Sequence, residues 1–219
     1  MTPTQVLLTL IPVAYLLGSI PFGLLVGKAK GIDVRTSGSG NIGATNVGRL
    51  LGKKFFFLVF VLDMLKSLLP MMAASVVVRH LVPTPSTYFL WLAVGAGAVV
   101  GHMFSVFLGF KGGKGVATSA GVVLGLYPYY TVSGAIVILI FIVVFFIWRY
   151  VSLGSMAAAC GFPIAFLVVG KLAGWLDLQT QWPLLLFAVL MAVLIVLKHR
   201  ANITRLLAGT ENRFAKKPG

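Results

Sequence analysis

Acidic residues are almost missing from this chain: 4 Asp and Glu stand against 18 Lys and Arg in 219 residues. A divalent-metal centre built on protein oxygens needs several clustered carboxylates, and four scattered acids do not supply one. Cysteine is reduced to Cys160, which lies in an apolar run. That excludes an internal disulfide and a Cys/His metal cluster, and Cys160 is expected to be a plain helix residue. Charge of either sign is scarce, at 10% of residues, where a soluble domain carries about a quarter. Uncharged runs cover Met1–Gly27, His80–Phe110, Gly115–Trp148, Tyr150–Gly170 and Leu178–Leu197. About 20 apolar residues carry a helix across the hydrocarbon core, so the chain reads as an integral membrane protein. The first run is long for a signal-peptide core and no small-residue cleavage site follows it, so it is expected to stay as a helix.

The runs and their breaks predict an all-α fold of seven transmembrane helices, at roughly 4–27, 55–79, 88–109, 116–127, 130–148, 153–170 and 182–198. The fourth is short, and Pro128 separates it from the fifth. Seven crossings put Lys28, Lys30, Arg35, Arg49, Lys53, Lys54, Lys111, Lys114, Arg149, Lys198, Arg200, Arg205, Arg213, Lys216 and Lys217 on one side, against only Arg79 and Lys171 on the other. Loop cations concentrate on the cytosolic side, so the N-terminus is expected outside and the C-terminus in the cytosol. The net charge of +14 then serves topology and attraction to anionic lipid heads. With no soluble basic domain and no aromatic platform, nucleic acid is not an expected partner. Residues 1–219 are expected to form one transmembrane domain.

Three stretches on the basic side carry chemistry. The first, "GSGNIGATNVGR" (38–49), contains Gly38-x-Gly40-x-x-Gly43, the spacing of a dinucleotide-binding fingerprint. That fingerprint requires a preceding strand. Here a transmembrane helix precedes it, and Asp63 falls inside the next helix. What remains is local physics: Gly38, Gly40, Gly43 and Gly48 let the backbone approach a ligand, and successive N–H groups form an anion nest. Ser39, Asn41, Thr45 and Asn46 add side-chain donors, and Arg49 adds a fork matched to phosphate.

The second stretch is "GFKGGKGVATSAG" (109–121). It is no Walker A, because Gly115 follows Gly113-Lys114 and Leu108 stands where the first glycine belongs. Still, Lys111 and Lys114 flank Gly112 and Gly113 just ahead of a helix, whose N-terminus attracts anions. In the third, "KHRANITRLLAGTENR" (198–213), His199 and Asn202 share a helical face. Ile203, Leu206 and Leu207 give it an interfacial, amphipathic character. All three stretches are expected on one membrane face, forming one pocket for phosphoryl groups with lipid access.

In this order, the three stretches resemble the signature motifs of the bacterial acyl-phosphate:glycerol-3-phosphate acyltransferases, the PlsY family. The resemblance covers the whole chain, and Ala201 and Thr204 are its small departures, standing where relatives often carry charge. It implies transfer of an acyl chain from acyl phosphate to the first hydroxyl of glycerol 3-phosphate. The products are lysophosphatidic acid and phosphate, the first step of phospholipid synthesis at the bacterial inner membrane. It also implies that Ser39 and Arg49 contact phosphate, with Lys111, Lys114 or both, and that His199 and Asn202 hold the glycerol phosphate. Glu211 matches the acid that closes the third motif. Relatives depend on a soluble enzyme that makes the acyl phosphate.

The residues support that chemistry without cofactor or metal. The His-x-x-x-x-Asp dyad of thioester-using acyltransferases is absent: five residues after His80, His102 and His199 come Pro85, Phe107 and Thr204. An acyl phosphate is a mixed anhydride with a good leaving group, so positioning and charge stabilisation do most of the work. The base is either His199 or a substrate phosphate oxygen, and substrate assistance is favoured. Asp63 and Lys66 are expected to form a structural ion pair bracing the first stretch, since an unpaired charge inside a span costs roughly 2.5–3.5 kcal/mol. His102 is expected to support the site. A transporter for phosphorylated solutes would use the same anion cradle, but it needs polar residues through the depth of the bundle or broken helices in inverted repeats. The outer half here is apolar.

Overall fold

The computed structural model describes residues 1–213, and among these all regular structure is helical. Lys216 and Lys217, counted above with the cytosolic cations, lie outside the described residues. The elements are α1 (Pro3–Ser19), α2 (Phe22–Lys28), α3 (Ala44–Leu51), α4 (Lys53–Val78), α5 (Pro85–Met103), a 3₁₀ turn (Val106–Leu108), α6 (Val116–Gly125), α7 (Thr131–Trp148), α8 (Val151–Leu172), α9 (Leu178–Lys198) and α10 (Arg200–Leu207). Six segments are long and apolar enough to cross a membrane: Pro3–Lys28, Lys53–Val78, Pro85–Leu108, Thr131–Trp148, Val151–Leu172 and Leu178–Lys198. With the shorter apolar helix α6, they reproduce the seven-helix pattern of the sequence, with ends shifted by a few residues.

The first span departs from that pattern. It was expected as one helix over 4–27, but it breaks between α1 and α2 at Ile20 and Pro21. Proline has no N–H to donate back into the preceding turn. The chain instead makes tighter bonds, Ile20 N–H to the Leu17 carbonyl and Phe22 N–H to the Ile20 carbonyl.

The chain divides into two compact units, Met1–Tyr127 and Pro128 onward. In the first, α1 packs along α5 and α4 packs along α6. Several hydroxyls between these helices donate to backbone carbonyls inside the unit, as a low-dielectric surrounding favours. Ser105 Oγ donates to the Ser19 carbonyl at 2.6 Å and Tyr15 OH to the Phe104 carbonyl at 3.0 Å. Ser67 Oγ donates to the Thr118 carbonyl at 2.7 Å. At the end where α2 stops and α4 starts, an apolar cluster of Leu24, Val34, Ile42, Ala44, Val47 and Val59 forms, with Phe56 and Leu108 packed against it. This cluster roots the first glycine-rich loop on α4 and on the 3₁₀ turn that precedes the second.

In the second unit α8 packs between α7 and α9. Tyr130 is buried there; its ring meets Phe162 and Phe166 edge-on at centroid distances of 4.8 and 5.5 Å, a favoured aromatic geometry. Its hydroxyl donates to the Leu184 carbonyl. Only Ser133 and Gly134 of α7 are buried, whereas Ile138, Leu139, Phe146 and Ile147 are exposed. An apolar helix exposed in this way presents its side chains to lipid. Removing this polar bond under α7 tests the packing: Tyr130→Phe is expected to lower stability by about 0.5–1.5 kcal/mol, read as a small loss in thermal unfolding temperature.

Candidate functional site

The first stretch is held from within by a single amide. Asn46, on the first turn of α3, is buried. Its Nδ2 reaches the carbonyls of Val34 (2.9 Å), Asn41 (2.9 Å) and Ser37 (3.1 Å), and its Oδ1 accepts the Ser39 N–H at 2.8 Å. One side chain thus fastens the loop at four points. Gly38 has φ +62, and a Cβ there would sit 2.4 Å from Asn46 Oδ1, so glycine is required on both counts. Asn41 Oδ1 accepts the Gly43 N–H at 2.9 Å and turns the chain into α3. Upstream, Arg35 grips Asp33 through Nε (3.0 Å) and Nη2 (2.6 Å). These hydrogen bonds hold the Asp33 carboxyl down at about 2.

Within this frame Ser39 and Gly40 are exposed at the tip, Thr45 is half-buried, and Arg49 lies half-buried on the last turn of α3 with its Nε buried. Helix α3 begins at Gly43 without a side-chain cap. Its first N–H groups point out of the helix end, where an anion binds favourably.

The second stretch folds back on the end of α5. Gly112 N–H donates to the Met103 carbonyl (3.2 Å) and Gly113 N–H to the His102 carbonyl (3.0 Å). The turn leaves Lys111 exposed and Lys114 half-buried. Gly115, at φ +80, starts α6, again without a side-chain cap. Both glycine-rich stretches of this unit therefore lead into a helix N-terminus opened by glycine, each with cationic side chains near it. Beneath the second turn lies the expected ion pair: Lys66 Nζ is 2.7 Å from Asp63 Oδ1, each side chain 2% exposed. Lys66 also donates to the Ile20 carbonyl at 2.9 Å and stands 2.9 Å from His102 Nδ1.

The third stretch lies in the second unit. His199 is the joint between α9 and α10 and is buried. Its Nδ1 is 2.7 Å from the Ile195 carbonyl. A carbonyl only accepts, so Nδ1 carries a proton and Nε2 is the nitrogen whose role changes with protonation. Asn202, one helical turn on, is also buried, and its Nδ2 donates to Glu211 Oε1 at 2.6 Å. Ser152 Oγ donates to the same oxygen at 2.8 Å, and Arg205 Nε to Oε2 at 2.7 Å. Burial pushes the Glu211 carboxyl up, but the hydrogen bonds from Asn202, Ser152 and Arg205 with the Arg205 charge outweigh it, and its pKa falls below the ordinary value. Glu211 thus bolts α10 to the first turn of α8. Ser152 was missed from sequence: a lone serine at a helix start carries no signal until the chain returns from position 211 to meet it.

The predicted side chains thus resolve into two groups. Ser39, Thr45, Arg49, Lys111 and Lys114 stand in or beside the two glycine turns of the first unit, and His199 and Asn202 share a face in the second. Asn41, Asn46 and Glu211 spend oxygens or amides on the protein itself.

Such an arrangement defines a polytopic helical membrane protein with two basic, glycine-led helix starts. Residues 8–209 match the family model described as glycerol-3-phosphate acyltransferase. The chain is 46% identical over 204 residues to the glycerol-3-phosphate acyltransferase of Geotalea daltonii, covering 93% of this chain and 95% of the relative. It is 48% identical over 202 residues to that of Trichlorobacter lovleyi, covering 92% and 94%. Among solved structures it resembles PlsY, an integral membrane glycerol 3-phosphate acyltransferase. The glycerol 3-phosphate form gives a TM-score of 0.77 at 43% identity, covering 95% of this chain and 96% of that one. The lysophosphatidic acid form gives 0.75 at 42%, covering 95% of each. The chain belongs to the glycerol-3-phosphate acyltransferase family.

The Glu211 bolt has a pH signature. Its folded pKa lies below the ordinary value of 4.5, so the unfolded chain binds more protons there. The stabilisation is complete above that value and is lost as pH falls through the lowered one. Glu211→Gln is expected to melt below wild type at neutral pH, by roughly 1.5–3 kcal/mol for charge-assisted bonds lost. Thermal unfolding across pH is expected to show the gap closing under acid; a gap independent of pH would contradict the ionised bolt.

Proposed function

We propose that this protein transfers an acyl chain from acyl phosphate to the sn-1 hydroxyl of glycerol 3-phosphate at the bacterial cytoplasmic membrane, giving lysophosphatidic acid and inorganic phosphate. The carrying observation is the pair of glycine turns in the first unit, each opening an uncapped helix beside fixed cations, in a chain of this family. The orientation proposed is N-terminus outside and C-terminus cytosolic, with residues 1–219 acting as one acyltransferase domain. A soluble enzyme supplies the acyl phosphate, and the surrounding lipid receives the product.

The roles follow from what each group offers. Ser39, Arg49, Lys111 and Lys114 take phosphoryl oxygens, with the glycine turns at Gly38, Gly40, Gly112 and Gly113 letting the backbone lie close to the ligand; Thr45 adds a hydroxyl. His199 and Asn202 hold the glycerol phosphate, while Asn41, Asn46 and Glu211 keep the loops in shape. The sn-1 oxygen attacks the acyl carbon, a new C–O ester bond forms, and the bond from that carbon to the phosphate oxygen breaks with its electron pair leaving on phosphate. A substrate phosphate oxygen takes the hydroxyl proton. The cations stabilise the charge that accumulates on the departing group, where fixed charges act most strongly. No step in this scheme uses a metal ion.

Labelled acyl phosphate and glycerol 3-phosphate, incubated with the detergent-solubilised protein, are expected to give labelled lysophosphatidic acid at the same rate with and without EDTA. Absence of transfer sinks the reading, and loss on chelation sinks the metal-free chemistry. His199→Ala is expected to raise KM for glycerol 3-phosphate about tenfold or more with kcat within a few fold, the pattern of lost binding. A collapse of kcat at unchanged KM assigns His199 the role of base instead. In a Cys160→Ser background, single cysteines at Ser39 and Lys114 are expected to react with impermeant reagents from the cytosolic side only. Labelling from opposite sides removes the shared cradle.

A further inference from the structure

Inside the first unit, three buried side chains are stacked behind the second glycine turn. Asp63 Oδ1 is 2.7 Å from Lys66 Nζ. Lys66 Nζ is 2.9 Å from His102 Nδ1. The ring of His102, 4% exposed, ends against Gly113. A Cβ placed on Gly113 would lie 2.3 Å from His102 Nε2, 2.9 Å from Cε1 and 3.2 Å from Cδ2, so the ring is its nearest neighbour. Two main-chain bonds then seal the turn to the same helix end, Gly113 N–H to the His102 carbonyl and Gly112 N–H to the Met103 carbonyl. Lys114 follows directly.

We propose that His102, oriented by the Lys66–Asp63 pair, is the positioning residue for the Gly112–Gly113–Lys114 turn, setting where that turn presents the Lys114 ammonium to a substrate phosphate. This rests on the reading of that turn as a phosphate cradle. The geometry dictates the ring's orientation. An ammonium has donors and no acceptor, so Nδ1 facing Lys66 is the acceptor. The ring proton therefore lies on Nε2, at the edge that meets Gly113. Lys66 is itself tied to Asp63 and to the Ile20 carbonyl, so the imidazole cannot rotate without stranding a buried ammonium. Buried polar groups left unpaired cost on the order of 1–3 kcal/mol, and a cradle needs its donors fixed before the ligand arrives. The ion pair thus braces the second stretch, through His102.

The contact between Gly113 and the imidazole makes this testable by a two-residue cycle. Asn at 102 keeps an amide at the level of Nδ1 for Lys66 and removes Cε1 and Nε2, the atoms nearest position 113. Full-length protein is assayed with glycerol 3-phosphate varied at saturating acyl phosphate, alongside thermal unfolding. Gly113→Ala is expected to raise KM for glycerol 3-phosphate about tenfold with kcat within about threefold. His102→Asn is expected to raise KM about three- to tenfold, and Asp63→Asn/Lys66→Met, which removes both charges together, is expected to raise it similarly while remaining folded. In His102→Asn/Gly113→Ala the added methyl has room, so KM is expected within about twofold of His102→Asn alone. Multiplying effects in the double variant overturn the proposal, as does wild-type KM in a folded His102→Asn. If Gly113→Ala fails to fold, recovery of folding by His102→Asn carries the same test, and no recovery overturns it. Lys111→Ala and Lys114→Ala separate the two readings. Unchanged KM in both removes the cradle, whereas a raised KM in either with an additive cycle removes only the role of His102.

Discussion

A lysine inside a membrane-crossing helix sets the terms for the first unit. Lys66 carries an ammonium to a place where charge is costly, and the chain answers with three partners drawn from three segments. Asp63 comes from its own helix, the Ile20 carbonyl from the break between α1 and α2, and His102 from α5. No single hydrophobic contact connects as many elements. Apolar packing of α1 on α5 and of α4 on α6 brings the helices together. The ammonium is less tolerant, because its bonds have length and direction. It therefore adds to the hydrogen bonds between α1 and the end of α5 and between α4 and α6 in holding their register.

The same device appears twice more at smaller scale. Asn46 is a buried amide that fastens an otherwise irregular loop to itself, and Glu211 is a buried carboxylate that fastens α10 to α8. In each case a polar side chain withdrawn from solvent holds in place neighbouring side chains that we propose meet a ligand. Thr45 and Arg49 ride on the helix that Asn46 anchors, and Asn202 stands on the helix that Glu211 anchors. A phosphate cradle is useful only while it stays open. Its rigidity has to come from groups that do not face the ligand.

Much of this was legible in the sequence. Hydrophobic run length found the spans, Pro128 separated α6 from α7, and the three basic, glycine-marked stretches located the candidate site. The pairing of Asp63 with Lys66 followed from their spacing of three on one helix. Less legible were features that depend on the chain meeting itself. Pro21 was visible, yet the apolar run continued across it, so the first span was read as unbroken. Asn46 was placed among the ligand contacts because an amide between glycines looks like a donor for phosphate; its inward use depends on the carbonyls of Val34, Ser37 and Asn41 converging on it. Ser152 had no pattern of its own. The brace expected under the first stretch meets the second through His102, a contact set by how α4 lies against α5 and recorded nowhere in local spacing.

The interruption of the first span also ties together positions remote in the chain. A regular helix through residue 20 would spend that residue's carbonyl on its own ladder; the kink at Pro21 diverts it to Lys66. The imino acid and the ammonium are therefore halves of one arrangement, 45 positions apart, the span from 21 to 66. Drift at either site alone leaves a buried group wanting. An irregularity that looks like a flaw in a membrane helix thus supplies the acceptor that helps a charge sit inside the next span.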